Sequence, residues 1–229
     1  MISVVIPTLN AEAGLASAMT ALVTATVEGL VREVLVVDGG SRDRTLEIAE
    51  QAGATILRTE PSRGRQLKAG ADAARFPWIL FLHADTVLET GWERDAAAFM
   101  ERVDLGKRPL SAAAFRFTLD DLGLKPRLIE SGVAARCAVF RLAYGDQGLL
   151  IPRRLYSEVG GYRDVPLMED VDLARRLGRR RLVMLRPRAV TSAVRYQRDG
   201  YVYRTVRNLA CLSLFFLRVP ATVIARLYR

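Results

Sequence analysis

Four short apolar runs narrow the possible folds most: "ISVVI" (2–6), "EVLVVD" (33–38), "ATILRT" (54–59) and "WILFLH" (78–83). Runs of this length that are apolar on both faces are the pattern of strands buried between two layers. Pro7, the Gly39-Gly40 pair and the polar turn His83–Asp85 close three of them. The segments between them read as helices. Asn10 is placed to cap one that runs to about Val27, Ser41 to cap another that ends at Gly53, and Arg63 to Ala74 forms a third. Strands alternating with helices through short connections predict an α/β fold, a mostly parallel sheet with helices on both faces.

In such a sheet the carboxyl ends of the strands form the binding rim. Asn10, Asp38 and Asp85 all fall at or just past strand ends, so three separate segments bring polar groups to one edge. His83, the single histidine, precedes Asp85 by two residues. A histidine and an aspartate at a strand end are also what an ordinary turn contains, so the pair decides little by itself.

Beyond residue 100 the pattern weakens. "SAAAFRFTL" (111–119), "GLLIP" (148–152) and "RLVML" (181–185) read as strands, and "VDLARRLG" (171–178) as a helix ending at Gly178. Without a repeat, low-complexity tract or linker, one domain is expected over residues 1–190, followed by a basic, partly apolar helical tail over 191–229. The net charge of +9, from 34 Lys and Arg against 25 Asp and Glu, points to an anionic partner: a phosphorylated substrate, an anionic membrane or nucleic acid. Cys137 and Cys211 match no metal or disulfide spacing, which suits a reducing cytoplasm. The sequence opens directly into a strand with no basic leader, and no apolar run approaches the roughly 20 residues that span a bilayer, so a cytoplasmic location is expected.

Taken together, several stretches resemble the family 2 glycosyltransferases of the GT-A fold. They are "VVIPTLN" at the first strand, "VVDGGSRDRT" at the second, "SRGRQLKAGADAARFPWILFLHADT", and "GGYRDVPLMEDVDLARRL" (160–177). The resemblance covers residues 1–190, and "YGDQGLLIPRRLYSEVGGY" is similar to a bacterial subgroup with His-Ala-Asp at the acidic motif. It implies a Rossmann-like GT-A sheet and inverting transfer of a sugar from a UDP- or GDP-linked donor to an acceptor hydroxyl, with Mg²⁺ or Mn²⁺ as cofactor. Nucleic acid is then not the expected partner.

The resemblance also assigns roles. Pro7, Thr8 and Asn10 would line the nucleoside pocket, and Asp38 with Gly39 would meet the base or ribose. Asp85 would be the metal ligand, while His83 replaces the first Asp of the Asp-x-Asp motif as a metal ligand, a ribose contact or a neighbour of the ligands. Arg65 and Lys68, with Arg63, would draw in the anionic nucleotide-sugar. Asp170 would be the general base, supported by Glu169, and Gly145, Asp146 and Gln147 would face the acceptor. Plainer readings stand beside these. Arg63, Arg65 and Lys68 also fit a solvated basic face, and Glu169, Asp170 and Asp172 also fit the positive end of a helix.

The processive members of the family carry Gln-x-x-Arg-Trp where this chain has "QRDGY", so a processive polymerase is not expected. Two other classes remain. A metal-dependent nucleotidyltransferase would usually carry a glycine-rich basic signature where this chain has "PTLNAEAG", and a basic anion- or lipid-binding module would leave the acidic rim unexplained. The tail mixes Arg204, Arg207, Arg218, Arg226 and Arg229 with the apolar stretch Leu209 to Leu217. It suits the inner surface of an anionic membrane and a lipid-linked acceptor, and equally a helix packed on the core or a partner subunit.

Overall fold

The computed structural model describes residues 1–140 and 143–228, apart from the side chain of Phe140. The chain opens as β1 (Ile2–Thr8), α1 (Glu12–Thr20), α2 (Val23–Val27), β2 (Val31–Asp38), α3 (Thr45–Gln51), β3 (Thr55–Arg58), α4 (Arg63–Ala73) and β4 (Trp78–Phe81). It continues through β5 (Thr86–Leu88), α5 (Trp92–Asp104), β6 (Ala112–Asp120), α6 (Leu124–Phe140), a 3₁₀ turn (Gly145–Gln147), β7 (Leu149–Pro152) and α7 (Arg153–Glu158). The last elements are α8 (Glu169–Leu177), β8 (Leu182–Ser192), α9 (Val194–Asp199), α10 (Tyr201–Phe216) and α11 (Ala221–Tyr228).

One sheet has the order β3-β2-β1-β4-β7-β6-β8-β5. The first four strands are parallel. β7 runs antiparallel to both β4 and β6, β6 and β8 are parallel, and β5 closes the far edge antiparallel to β8. The strands are apolar on both faces because both are covered. Val4, Ile6, Trp78 and Leu80 point into one core with α1 and α5, while Val5, Ile79 and Phe81 point into the other with α4, α7 and α8. The fold is thus mixed α/β, with helices on both faces of a mostly parallel sheet.

Because β7 runs against β4, the loop that enters β7 reaches the same rim as the loops that leave β1, β2 and β4. This brings Gly145–Gln147 to the ends of strands that close at Thr8, Asp38 and Phe81.

Local expectations needed correction at four places. Asn10 does not cap α1, whose N-cap is Ala11; it sits at φ +50° and its Oδ1 accepts from the Arg42 N–H at 2.9 Å. The helix expected to reach Val27 is two pieces, α1 and α2. Ser41 lies four residues before the first residue of α3, which Arg44 precedes, and its hydroxyl bonds Asp38 instead. β8 extends to Ser192, well past the expected 185, with a register shift against β6 where Arg186 and Pro187 lie, as a proline inside a ladder demands.

Candidate active site

Two cavities open on the carboxyl-end rim, and Arg63, His83, Asp85, Ser192 and Arg195 line both. The larger is a groove of about 770 Å³ bordered by Pro7, Thr8, Asn10 and Gln66. The second, of about 360 Å³, is bordered by Tyr144, Asp146, Glu169 and Asp170 and reaches under Asn208 of α10 and Tyr228 of α11.

Beneath the groove, Asp38 is an organiser. It is 1% exposed, its Oδ1 accepts from the Thr8 and Ser41 hydroxyls, and its Oδ2 accepts from the Gly40 and Ser41 N–H groups at 2.9 Å each. Burial alone would raise its pKa; these donors outweigh it and hold the carboxyl below the usual range. Gly39 donates to the Thr8 carbonyl at 2.9 Å. Gln66, which sequence reasoning passed over, is buried and donates to the Thr8 and Val37 carbonyls at 2.7 Å each, tying α4 to the ends of β1 and β2. A polar residue among the inward positions of α4 was the only signal for it.

The His83–Asp85 turn is backed by α1. A Cβ on Gly14 would lie 2.7 Å from the Ala84 carbonyl oxygen, so only glycine lets the helix come this close. Asp85 is partly exposed, and its Oδ2 lies 3.9 Å from the Arg195 guanidinium. Burial, and then the charge of Arg63, push the His83 pKa down to about 4, so its imidazole is neutral at pH 7.

Across the turn stands the Glu169–Asp170 pair at the start of α8. Asp170 accepts from the N–H groups of Gly145 at 2.9 Å and Val171 at 2.7 Å. Glu169 is 2% exposed, and its Oε1 has no hydrogen-bond partner and lies 3.6 Å from Arg63. Burial and the neighbouring Asp170 charge raise its pKa to about 7, although Arg63 acts against them. Burial and then the Asp170 charge lift Asp146 to about 6, against the pull of Arg136. Gln147 is internal: its amide nitrogen donates to the Phe115 carbonyl at 3.0 Å, and its Oε1 accepts from Arg136 at 3.2 Å.

Of the predicted residues, the rim gathers Pro7, Thr8, Asn10, His83, Asp85, Asp146, Glu169 and Asp170 around the two cavities. Asp38, Gly39 and Gln147 lie behind them. Arg65 and Lys68 border neither cavity: Arg65 pairs with Asp164 at 2.8 Å and with Glu60, and Lys68 pairs with Asp72 at 2.6 Å. Arg63, from the same cluster, faces the site instead. Sequence reasoning missed Tyr144 and Arg136, and the α10 and α11 side chains that reach the second cavity.

Among the described residues no group of three His, Cys, Asp or Glu side chains could cage a metal. Asp85 nevertheless presents one carboxylate at the junction of the cavities. A single carboxylate there fits a hard divalent cation, which commonly takes one or two protein carboxylates and fills its remaining positions with phosphate oxygens and water.

Comparison with known proteins agrees with this geometry. Residues 3–108 match the model of Glycosyl transferase family 2. A "PGL/p-HBAD biosynthesis glycosyltransferase" of Mycobacterium bovis (strain BCG / Pasteur 1173P2) is 32% identical over 157 residues, 61% of this chain and 60% of that protein. A protein of the same name from Mycobacterium tuberculosis (strain ATCC 25177 / H37Ra) matches equally. The chain thus spans about 60% of the length of these curated relatives. Among solved structures, S. aureus TarS 1-349 superposes with a TM-score of 0.64 at 16% identity, covering 99% of this chain and 69% of that one. Glucosyl-3-phosphoglycerate synthase from Mycobacterium tuberculosis, in complex with Mn²⁺, UDP and glucosyl-3-phosphoglycerate, superposes with a TM-score of 0.55 at 22% identity, covering 84% and 70%. At these identities the two structures establish the shared fold.

Proposed function

We propose, from the match of residues 3–108 to the model of Glycosyl transferase family 2, that this chain transfers a sugar from a UDP- or GDP-linked donor to an acceptor hydroxyl with inversion. The observation that carries the reading is the meeting of two cavities at Arg63, His83 and Asp85. Such a junction is what a two-substrate transfer needs, with donor on one side and acceptor on the other. The mycobacterial synthase solved with Mn²⁺ and UDP-glucose supports a nucleotide donor in a fold of this kind.

In this reading the nucleoside lies along Pro7, Thr8 and Asn10, and the diphosphate points toward Arg63 and Arg195. A bound Mg²⁺ or Mn²⁺, held by Asp85, supplies charge stabilisation for the diphosphate. Neutral His83 contacts the donor or a water beside it. The acceptor oxygen bonds to the anomeric carbon as the bond from that carbon to the diphosphate oxygen breaks. The acceptor proton passes to Asp170, and the bonding pair leaves with the diphosphate. Two backbone N–H groups aim the Asp170 carboxylate, and each of its oxygens keeps a further lone pair for the incoming proton. Glu169, beside it, supports that charge balance.

A lipid or lipid-linked acceptor at an anionic membrane surface is the finer part of the proposal. Val202 and Val206 of α10 are 73% and 60% exposed, and the exposed Leu217 and Leu227 each adjoin an exposed arginine, Arg218 and Arg226. Apolar and basic helical surface together suits an anionic interface. No helix among the described residues is long and apolar enough to cross a membrane. Arg229 lies outside the described residues.

The test is a screen of UDP- and GDP-sugars for binding and slow hydrolysis, with and without Mn²⁺. Metal-enhanced binding and hydrolysis of at least one is expected, and indifference to every nucleotide would sink the donor assignment. Cosedimentation with anionic liposomes at low and physiological salt tests the membrane surface, and absence of binding in both rejects it.

A further inference from the structure

Arg65, one of the basic residues expected to draw in the nucleotide-sugar, borders neither cavity and pairs instead with a neighbouring loop. That loop is residues 159–168, which form neither helix nor strand between α7 and α8 and deliver Glu169 and Asp170 to the site. Its last residue, Met168, sits at φ +66°, a left-handed conformation that a methionine keeps only where its surroundings impose it. Pro166, Leu167 and Met168 line the second cavity, and Pro166 lines the larger groove as well. Where this loop lies therefore decides where the carboxylate pair stands relative to the groove.

The start of α4 holds the loop at three points. The Ser62 hydroxyl donates to Asp164 Oδ1 at 2.8 Å. Arg65 donates to Asp164 Oδ2 from Nε at 3.1 Å and from Nη2 at 2.8 Å, while its Nη1 turns back to Glu60. Between them Gly64 lies against the loop backbone: a Cβ there would be 2.3 Å from the Arg163 carbonyl oxygen and 3.3 Å from the Val165 nitrogen. The same turn carries Arg63, whose guanidinium lies 3.6 Å from Glu169. Other ties of the loop run to its own neighbours in sequence. The Tyr162 N–H donates to the Tyr156 hydroxyl of α7 at 2.9 Å, and Arg176 of α8 donates to the Val159 and Gly161 carbonyls. Those ties can move with the loop, whereas the Asp164 bonds join it to α4, which Gln66 fixes to the ends of β1 and β2.

We infer that Ser62, Gly64, Arg65 and Asp164 form a latch that sets the carboxylate pair against the donor side of the site, and that Arg65 and Asp164 are positioning residues that touch neither substrate. The inference rests on the proposed transfer for the reaction being positioned, and goes beyond it by assigning Arg65 to the loop rather than to the donor. The Arg65 and Asp164 side chains are 42% and 47% exposed, so their ion pair adds little to the stability of the fold. It can be cut without unfolding the chain, which separates positioning from stability.

The Gly145 amide reports where Asp170 stands, because it donates to Asp170 Oδ2 from another element. In Asp164→Ala, hydrogen exchange at the Gly145 amide is expected to quicken about tenfold, while the amides of β1 and the melting temperature match the parent. UDP binding with Mn²⁺ should also match the parent in Asp164→Ala and in Arg65→Ala, since neither residue borders the groove. Turnover of a nucleotide-sugar should fall about tenfold in each with KM unchanged, a part of what a 1 Å misplacement can cost. The double variant should be no slower than Asp164→Ala, because Arg65 acts through that carboxylate. Unchanged exchange at Gly145 overturns the inference, as does weakened UDP binding in Arg65→Ala or a double variant whose losses multiply. A parent chain that binds and turns over no nucleotide-sugar overturns the donor assignment instead, and the Gly145 amide still decides whether the latch positions Asp170.

Discussion

The Gly145 N–H donates a 2.9 Å hydrogen bond to Asp170 Oδ2, joining the loop that enters β7 to the carboxylate pair that opens α8. The same glycine is pressed against His83: a Cβ on it would lie 2.5 Å from His83 Nε2. One position therefore spaces the imidazole from the carboxylate. Gly145→Ala must move one of them, and a misplacement near 1 Å can cost about 10²-fold in rate. Transfer is expected to fall by that order with a small change in melting temperature; steady-state kinetics beside calorimetric melting checks it.

Asp170→Asn removes the proposed base while keeping an oxygen for the Gly145 bond. Losing a positioned base typically costs about 10²–10⁴ in rate. Transfer should fall by that factor and donor affinity should stay. A purified variant working at the parental rate would assign the proton to another group.

Asp85→Asn should nearly abolish the part of nucleotide binding that depends on metal, since an amide oxygen is a poor substitute for a carboxylate on a hard cation. His83→Ala should weaken it less. Titration of UDP with and without Mn²⁺ reads both, and equal metal dependence in Asp85→Asn and parent would remove Asp85 as the ligand.

Glu169 makes a prediction about stability. Its pKa, raised to about 7 by burial and by the Asp170 charge, lies above the ordinary 4.5. Between those two values the folded state binds more protons than the unfolded one, so stability falls as pH rises through this window. Glu169→Gln cannot ionise. It should melt higher than the parent at pH 8, and the gap should close toward pH 4. A gap that is constant with pH would show that Glu169 ionises normally in the folded chain.

How much of this was legible in the sequence depended on how local each signal was. β1, β2 and β4 were plain because each is a continuous apolar run between punctuating residues, and the rim positions of Asp38 and Asp85 followed. β8 was cut short because Pro187 reads as a stop, whereas the ladder bulges around it. α6 was invisible because it has Pro126 near its start, Gly132 within it, and apolar residues such as Leu124 and Leu128 turned outward. Within the site, Arg63 and Arg65 are two residues apart on α4 and therefore point in different directions. Only the fold separates the one facing Glu169 from the one paired with Asp164. The second cavity takes side chains from α6, the 145–147 turn, α8, α10 and α11, and no sequence window holds them together.

The antiparallel insertion of β7 also has a consequence for synthesis of the chain. By the time residue 81 has been made, β1 to β4 can pair, leaving "WILF" of β4 as a bare apolar edge. Its partner, Leu149–Pro152, is translated about 70 residues later, a delay of roughly 4–14 s at ordinary elongation rates. An unpaired apolar edge recruits other strands. The nascent chain is therefore most exposed to misassembly in that interval, and a chaperone holding it on the ribosome would have its greatest effect there.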